Sequence, residues 1–347
     1  MKLISALSAG TLIAAGGVVA VAVPATSATG LTTRCVGTAD GITITGDLVV
    51  PSGASCDLTG VTVTGSTRVA AGGDLVVEGS TLQGSVVVAE DAFFGAIDSS
   101  VAGRVTSRQA FGVTLEGSDA QSLVTRAVAD SDVESVTWLE DGSTVSGQVD
   151  ARAGELLISS SSVEGAVRGI GTLYTDVVDS TLGGSLEVTD NSEGGVFCES
   201  EVYGDASYTG NMSVLQIGAD GPIEVCDQAS FWGGDVTVSD NMAEIVIDQN
   251  IVAGDLTGEG NDPAPTVGEG NRVRGELGGQ FAAPAEEDAV VAPQALEASV
   301  ARMAASVDGA EATTVESVVE RTEATSARLD ERLASAEAAA AAAGPIA

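Results

Sequence analysis

The sequence predicts an all-β fold, a single-stranded parallel β-helix of about twelve coils followed by a C-terminal α-helical tail. Three observations predict it: glycines that recur at a nearly constant step, apolar columns on both sides of them, and no amphipathic helix between the strand-like segments. The glycines stand at 46, 65, 84, 103, 147, 165, 184, 204, 234, 254 and 275, and most steps are 18 to 21 residues. Gln121 fills the gap after Gly103, which leaves two long steps that read as loop insertions near residues 126–142 and 207–228.

Aligned on these anchors, the position two before carries Ile44, Val63, Leu82, Val101, Asp119, Val145, Val163, Leu182, Val202, Trp232, Val252 and Val273. The position two after carries Leu48, Thr67, Val86, Val105, Leu123, Val149, Val167, Leu186, Ala206, Val236, Leu256 and Leu277. Side chains two apart share one face of a strand, so both columns point inward and the residues between them point to water. A further apolar pair precedes the anchor, as in Leu75/Val77, Leu156/Ile158 and Ile245/Ile247, giving each coil about three short strands. A coil of this length cannot bury its apolar face alone; stacking builds a continuous core and a rod roughly 55 Å long. Ser80, Ser99, Ser143, Ser161, Ser180, Ser200, Ser230, Asn250 and Asn271 form a small polar column four before the anchor, suited to hydrogen bonding up and down the stack.

Ahead of the repeat, residues 1–28 read as an export signal: Lys2, an uncharged stretch from Leu3 to Val23, then the small residues of Pro24 to Ala28. No charged stop-transfer segment follows, so the expectation is a secreted or cell-surface-associated protein with no transmembrane anchor after processing. Removing Lys2, the only lysine, takes the formal charge from −36 to −37. The chain has no histidine, which excludes a Ser-His-Asp triad, a Cys-His pair and His-ligated zinc. The balance of 50 acids against 14 basic residues, with 3% aromatics, disfavours nucleic acid as a partner. Four cysteines in an exported chain favour two disulfides. Cys35 and Cys56, and likewise Cys198 and Cys226, are about one coil apart at similar phase, which pairs Cys35 with Cys56 and Cys198 with Cys226.

The segments Pro51 to Gly60, Gly254 to Thr257 and Asn261 to Thr266 resemble a family of secreted β-helix repeat proteins of actinobacteria. The likeness covers roughly residues 35 to 280 and implies an exported solenoid; it supplies no catalytic residues. A weaker likeness is to bactofilins, polymer-forming β-helix scaffolds of the cytoplasm, a location that the export signal opposes.

The repeat is assigned to residues 29–283 and a helical tail or linker, rich in Ala and Glu, to residues 284–347. Leu296, Val300, Met303, Val307 and Ala310 make one helical stripe; Val315, Val318, Thr322, Thr325 and Leu329 resume it, and Gly344-Pro345 ends it. The stripe reads either as a seam for self-association of rods or as a solvated helix.

One position after the anchor, Asp205, Asp235, Asp255 and Glu276 form an acidic stack whose oxygen ligands suit Ca²⁺; a solvated acidic column is the simpler account. Thr43, Thr62, Thr81, Ser100, Ser118, Thr144, Ser162 and Thr181 form an outward hydroxyl column, explained by the preference of β-branched residues for exposed strands. Arg104, Arg126, Arg152 and Arg168 lie in neighbouring coils at different phases, and Trp138, Tyr203, Tyr208 and Trp232 are the aromatic contacts of any groove. No pair of acids is marked by spacing for glycoside hydrolysis. The expectation is a non-enzymatic structural or surface-interaction scaffold whose partner is a cell-wall polysaccharide or a surface protein. The competing class is a carbohydrate-binding or polysaccharide-degrading (lyase or hydrolase) β-helix.

Overall fold

A computed structural model of the chain describes residues 30–218, 221, 223–282 and 317–346. They form a parallel β-solenoid of about thirteen turns with one helix, α1 (Val318–Ala343). The export signal and the stripe from Leu296 to Ala310 lie outside the described residues.

Each turn contributes to three faces, and every ladder is parallel. The broad face is a sheet of twelve strands, from Gly37–Asp40 to Thr266–Val267. A short-strand face begins with Thr43–Ile44 and ends with Arg272–Val273. The third, here called the open face, runs from Thr32–Arg34 to Leu277–Gly279. Strands Ser100–Arg108 and Asp119–Arg126 continue round the corner between the last two faces and fuse them into one sheet of 23 strands. Register follows the repeat: Ile44 pairs with Val63, Val63 with Leu82 and Leu82 with Val101. All four are buried, and with Leu48, Val86, Val105, Leu123 and the broad-face residues Leu75, Val77, Leu156 and Ile158 they fill one continuous core.

Two polar ladders line the inner corners. Along the first, the amide of one coil donates to the hydroxyl of the next: Val61 to Ser80 (3.0 Å), Ser80 to Ser99 (3.0 Å), Ser99 to Ser118 (2.9 Å) and Ser118 to Ser143 (3.1 Å). The second was not seen in the sequence columns. Asn191, Asn211, Asn241 and Asn261 stack at another corner, each amide donating to the next Oδ1 and the last to Gln280 Oε1. These bonds satisfy corner amides that point away from the sheets.

One coil corrects the alignment. Asp119 pairs with Ser100 and Ala120 with Val101, and the register then skips so that Ser122 meets Arg104. Ala120 therefore fills the inward column, Asp119 is exposed, and Ser118 belongs to the buried ladder and not to the outward hydroxyl column. The cause is one residue fewer at this corner, where Gln121 spans the place of Ala102-Gly103.

Both disulfides join neighbouring turns as expected, Cys35 to Cys56 and Cys198 to Cys226, with Cα separations of 5.6 and 5.5 Å. The anchor glycines are required by close approach of stacked backbone. A Cβ on Gly204 would lie 2.7 Å from the carbonyl oxygen of Gly184, whereas Gly79, at φ +54°, has nothing within 4 Å of its Cβ position. The two therefore separate experimentally. Gly204→Ala should cost roughly 1–3 kcal/mol by overpacking. Gly79→Asp should stay near wild type, because Asp98 and Asp179 hold the equivalent left-handed position in other turns. Urea unfolding of both variants checks this; equal losses would contradict the stacked-corner account.

Candidate interaction surfaces

On the broad face, outward positions of the middle coils are apolar, with Val76, Phe93, Val136, Trp138 and Leu157 buried. Strands such as Asp74–Glu78 and Glu155–Ser159 thus read as continuous apolar runs, the pattern of strands covered on both sides. The cover is α1. Its 26 residues span about 39 Å, close to the roughly 43 Å of the nine coil spacings between Met212–Ile217 and Gly37–Asp40. Ser317 opens the helix with a capping box to Glu320, and the Val318 amide donates to the Ile223 carbonyl (3.0 Å) in the second insertion. Val318 packs with Val196, Val214, Ile223 and the Cys198–Cys226 pair; Leu329 and Ala336 pack on Trp138 and its neighbours.

Over these residues the tail therefore does not present its stripe to water. It packs on its own solenoid, running back towards the N-terminus. Beyond the helix the chain joins the sheet edge: the Thr38 amide donates to the Gly344 carbonyl (2.9 Å) and the Ile346 amide to the Thr38 carbonyl (2.9 Å). An unpaired strand edge is a template for wrong pairing, and here it is closed by the chain's own tail.

Three arginines fix the helix along the face. Arg321 meets Asp176 at 2.6 Å, with side chains only 7% and 1% exposed, and its guanidinium lies 4.3 Å over the Tyr174 ring. Arg328 bridges Glu155 (2.7 Å) and, in the first insertion, Glu134 (2.8 Å). Arg332 reaches Asp74 at 2.7 Å and lies over Phe111. Glu155 also accepts from the hydroxyls of Tyr174 (2.7 Å) and Thr325 (2.8 Å). Each loop insertion thus contributes one polar contact to α1, and neither builds a groove wall with the expected aromatics. Trp138 lies buried among the residues beneath the helix, Trp232 and Tyr208 are core, with Trp232 4.1 Å from Phe197 between ring centroids, and of the four only Tyr203 is exposed.

The acidic stack has a structural part. The Asp235 amide donates to Asp205 Oδ1 (3.0 Å), the Asp255 amide to Asp235 Oδ1 (2.8 Å) and the Glu276 amide to Asp255 Oδ1 (2.8 Å). Asp47 accepts from the Ser66 amide (2.8 Å) in the same way near the other end. One oxygen of each aspartate is thus held by the next coil's backbone. Among the described residues no three His, Cys, Asp or Glu side chains converge as a metal group.

The open face carries Arg34, Arg68, Arg104, Arg108, Arg126, Arg152 and Arg168, seven of the chain's 13 arginines. Their phases are less scattered than the sequence suggests. Arg108 is directly opposite Arg126, and Arg152 follows Ala151, which is opposite Thr125.

Fold and surfaces together define a self-capped β-solenoid. Compared with family models, curated proteins and solved structures, the chain has no match in any of the three.

Two predictions follow from the tail contact and its charges. Arg321→Met leaves Asp176 buried without its cation, so it should cost about 3–5 kcal/mol and expose α1 to proteolysis; adding Asp176→Leu should restore most of the loss. A single variant with unchanged melting and protease resistance would contradict the buried pair. The second concerns pH. Burial, then Asp141 and Glu116, pushes Glu140 up to about 7; burial pushes Asp176 up to about 6 despite Arg321. Asp74 and Glu116 are also raised, chiefly by burial. These groups bind protons more tightly folded than unfolded, where carboxylates titrate near about 4. Their contribution is therefore present at low pH and lost as pH rises through about 6 to 7. The melting temperature should be higher at pH 5 than at pH 7.5, with the difference reduced in Glu140→Gln; a rise from pH 5 to 7.5 would contradict the assignment.

Proposed function

We propose that the chain is an exported, non-enzymatic β-helix that serves as a structural or surface-interaction scaffold. The observation that carries this reading is the closure of the rod on itself: α1 lies along the broad face, pinned by Arg321, Arg328 and Arg332, and the chain beyond it covers the first strand edge. A rod built this way keeps a fixed length and a protected end, which suits display of a surface more than opening and closing around a substrate. Two disulfides between neighbouring turns suit an oxidising compartment and support the export reading.

The competing class, a polysaccharide-degrading β-helix, is separated by activity. Purified mature protein incubated with acidic and neutral polysaccharides should release no new reducing ends or unsaturated products, and cell fractionation should find it outside the membrane. Product release by the wild type would overturn the scaffold reading, as would recovery in the cytoplasm.

A further inference from the structure

The open face differs from the rest of this acidic molecule. From Arg68 to Arg168 its outward side chains place six guanidinium groups over six successive strands, a length of about 24 Å at the strand spacing. Among the described residues nothing packs over Arg68, Arg104, Arg108, Arg126 and Arg152, all of which are exposed. Arg152 and Arg168 are held by Asp150 (2.9 Å) and Glu187 (3.1 Å), and Arg104 donates to Ser122 (3.3 Å). Among the described residues Arg68, Arg108 and Arg126 have no ion pair or side-chain hydrogen bond, although the chain holds 50 acids.

The register makes this costly. Like charges directly opposite on neighbouring strands destabilise a sheet, and Arg108 and Arg126 are such a pair, with Arg152 just past the end of the next strand. A third arginine, Arg104, stands on the same strand as Arg108 with its side chain on the same outward face. An external anion would offset the repulsion. Beside the strip, the corner with one residue fewer leaves an open notch of about 240 Å³ lined by Ser100, Asp119, Gln121, Thr144 and Ser146, a set of groups suited to sugar hydroxyls.

We propose that this strip binds a linear anionic polymer laid along the rod axis, its carboxylates or phosphates held by Arg104, Arg108 and Arg126. The inference rests on the scaffold reading and supplies its surface partner. A guanidinium matches both carboxylate and phosphate oxygens in a fork, and a row repeating at about 4.8 Å can follow a chain of regularly spaced charges. The other charge-complementary occupant is the acidic half of a second copy, from Glu187 to Glu276. A flat protein interface needs an apolar centre, and the outward column here alternates Arg68, Val87, Thr106, Val124, Asp150, Arg168. A single polymer strand needs only the strip.

The test uses the full mature protein with both disulfides formed. Fluorescent polygalacturonate and polyphosphate are titrated separately, with neutral dextran as control, at low and high salt. At least one polyanion should bind and dextran should not; the stronger of the two identifies the source of the anion. Binding should weaken with salt. Arg108→Gln/Arg126→Gln should lose about tenfold or more in affinity with its melting temperature unchanged or raised. Arg272→Gln/Arg274→Gln, an equal charge change on the last turn, should stay within about twofold. Equal weakening in both variants, or no binding of either polymer, would overturn the proposal while leaving the scaffold reading intact. A dimer in sedimentation that only the first variant abolishes would also overturn it, assigning the strip to a second copy. Cleavage of the polygalacturonate would instead overturn the scaffold reading.

Discussion

The structure depends on the parallel backbone ladder between one turn and the next. Each turn must follow the path of its neighbour closely enough for amides and carbonyls to meet, and every other feature answers to that demand. The corner glycines stand where stacked backbones approach too closely for a Cβ. The Ser and Asn columns satisfy amides that the corners turn away from the sheets. Even the acidic stack is partly this: an aspartate oxygen at 205, 235 or 255 accepts from the amide one turn on. Among the described residues, extra chain is admitted in loops, between Asp119–Arg126 and Val136–Glu140 and after Met212–Ile217, and there it does not disturb the stack.

A solenoid solves its core by repetition but leaves its ends and outer faces to be managed separately. The broad face is apolar on the outside as well as the inside over the middle turns, and α1 covers it through a mixed contact. Small residues allow close approach: a Cβ on Gly112 would be 3.0 Å from Leu329. Charged pairs then set the position along the face, and the buried Arg321–Asp176 pair shows the balance involved. Its geometry is short, yet burial still pushes Asp176 up to about 6, so the pair specifies where the helix lies more than it adds stability.

Much of this was legible in the sequence. Inward columns such as Ile44, Val63, Leu82 and Val101 are apolar because any other choice would bury a polar group in every turn, and the cysteine phases then select both disulfides. What was not legible involves contacts across long sequence separations or small shifts of register. Arg321, Arg328 and Arg332 look like solvent-facing charges on a helix, and their partners lie far earlier in the chain. The available signal was on the other side, in Val76, Trp138 and Leu157, apolar at positions the alternation assigns to water. The Asp119 misplacement arose because Gln121 replaces the glycine in a turn one residue shorter at its corner. The arginine strip is masked in the sequence by Arg104 and Arg168, which stand at other phases than Arg108, Arg126 and Arg152. The sequence did not mark the Ca²⁺ candidate from the other acids, and the backbone bonds to its aspartates give that column a role of its own.

The central claim is that equivalent positions of successive turns lie over one another along one axis. Pulsed electron paramagnetic resonance tests it most directly, with one nitroxide at exposed Thr43 and the second, in separate variants, at exposed Asp119, Thr181 or Glu201. These sites are four, seven and eight turns along the same ladder. The account predicts distances that rise linearly by about 4.8 Å per turn, near 19, 34 and 38 Å. Distances that fail to increase in that order, or that cluster at one value, would contradict the stacked solenoid.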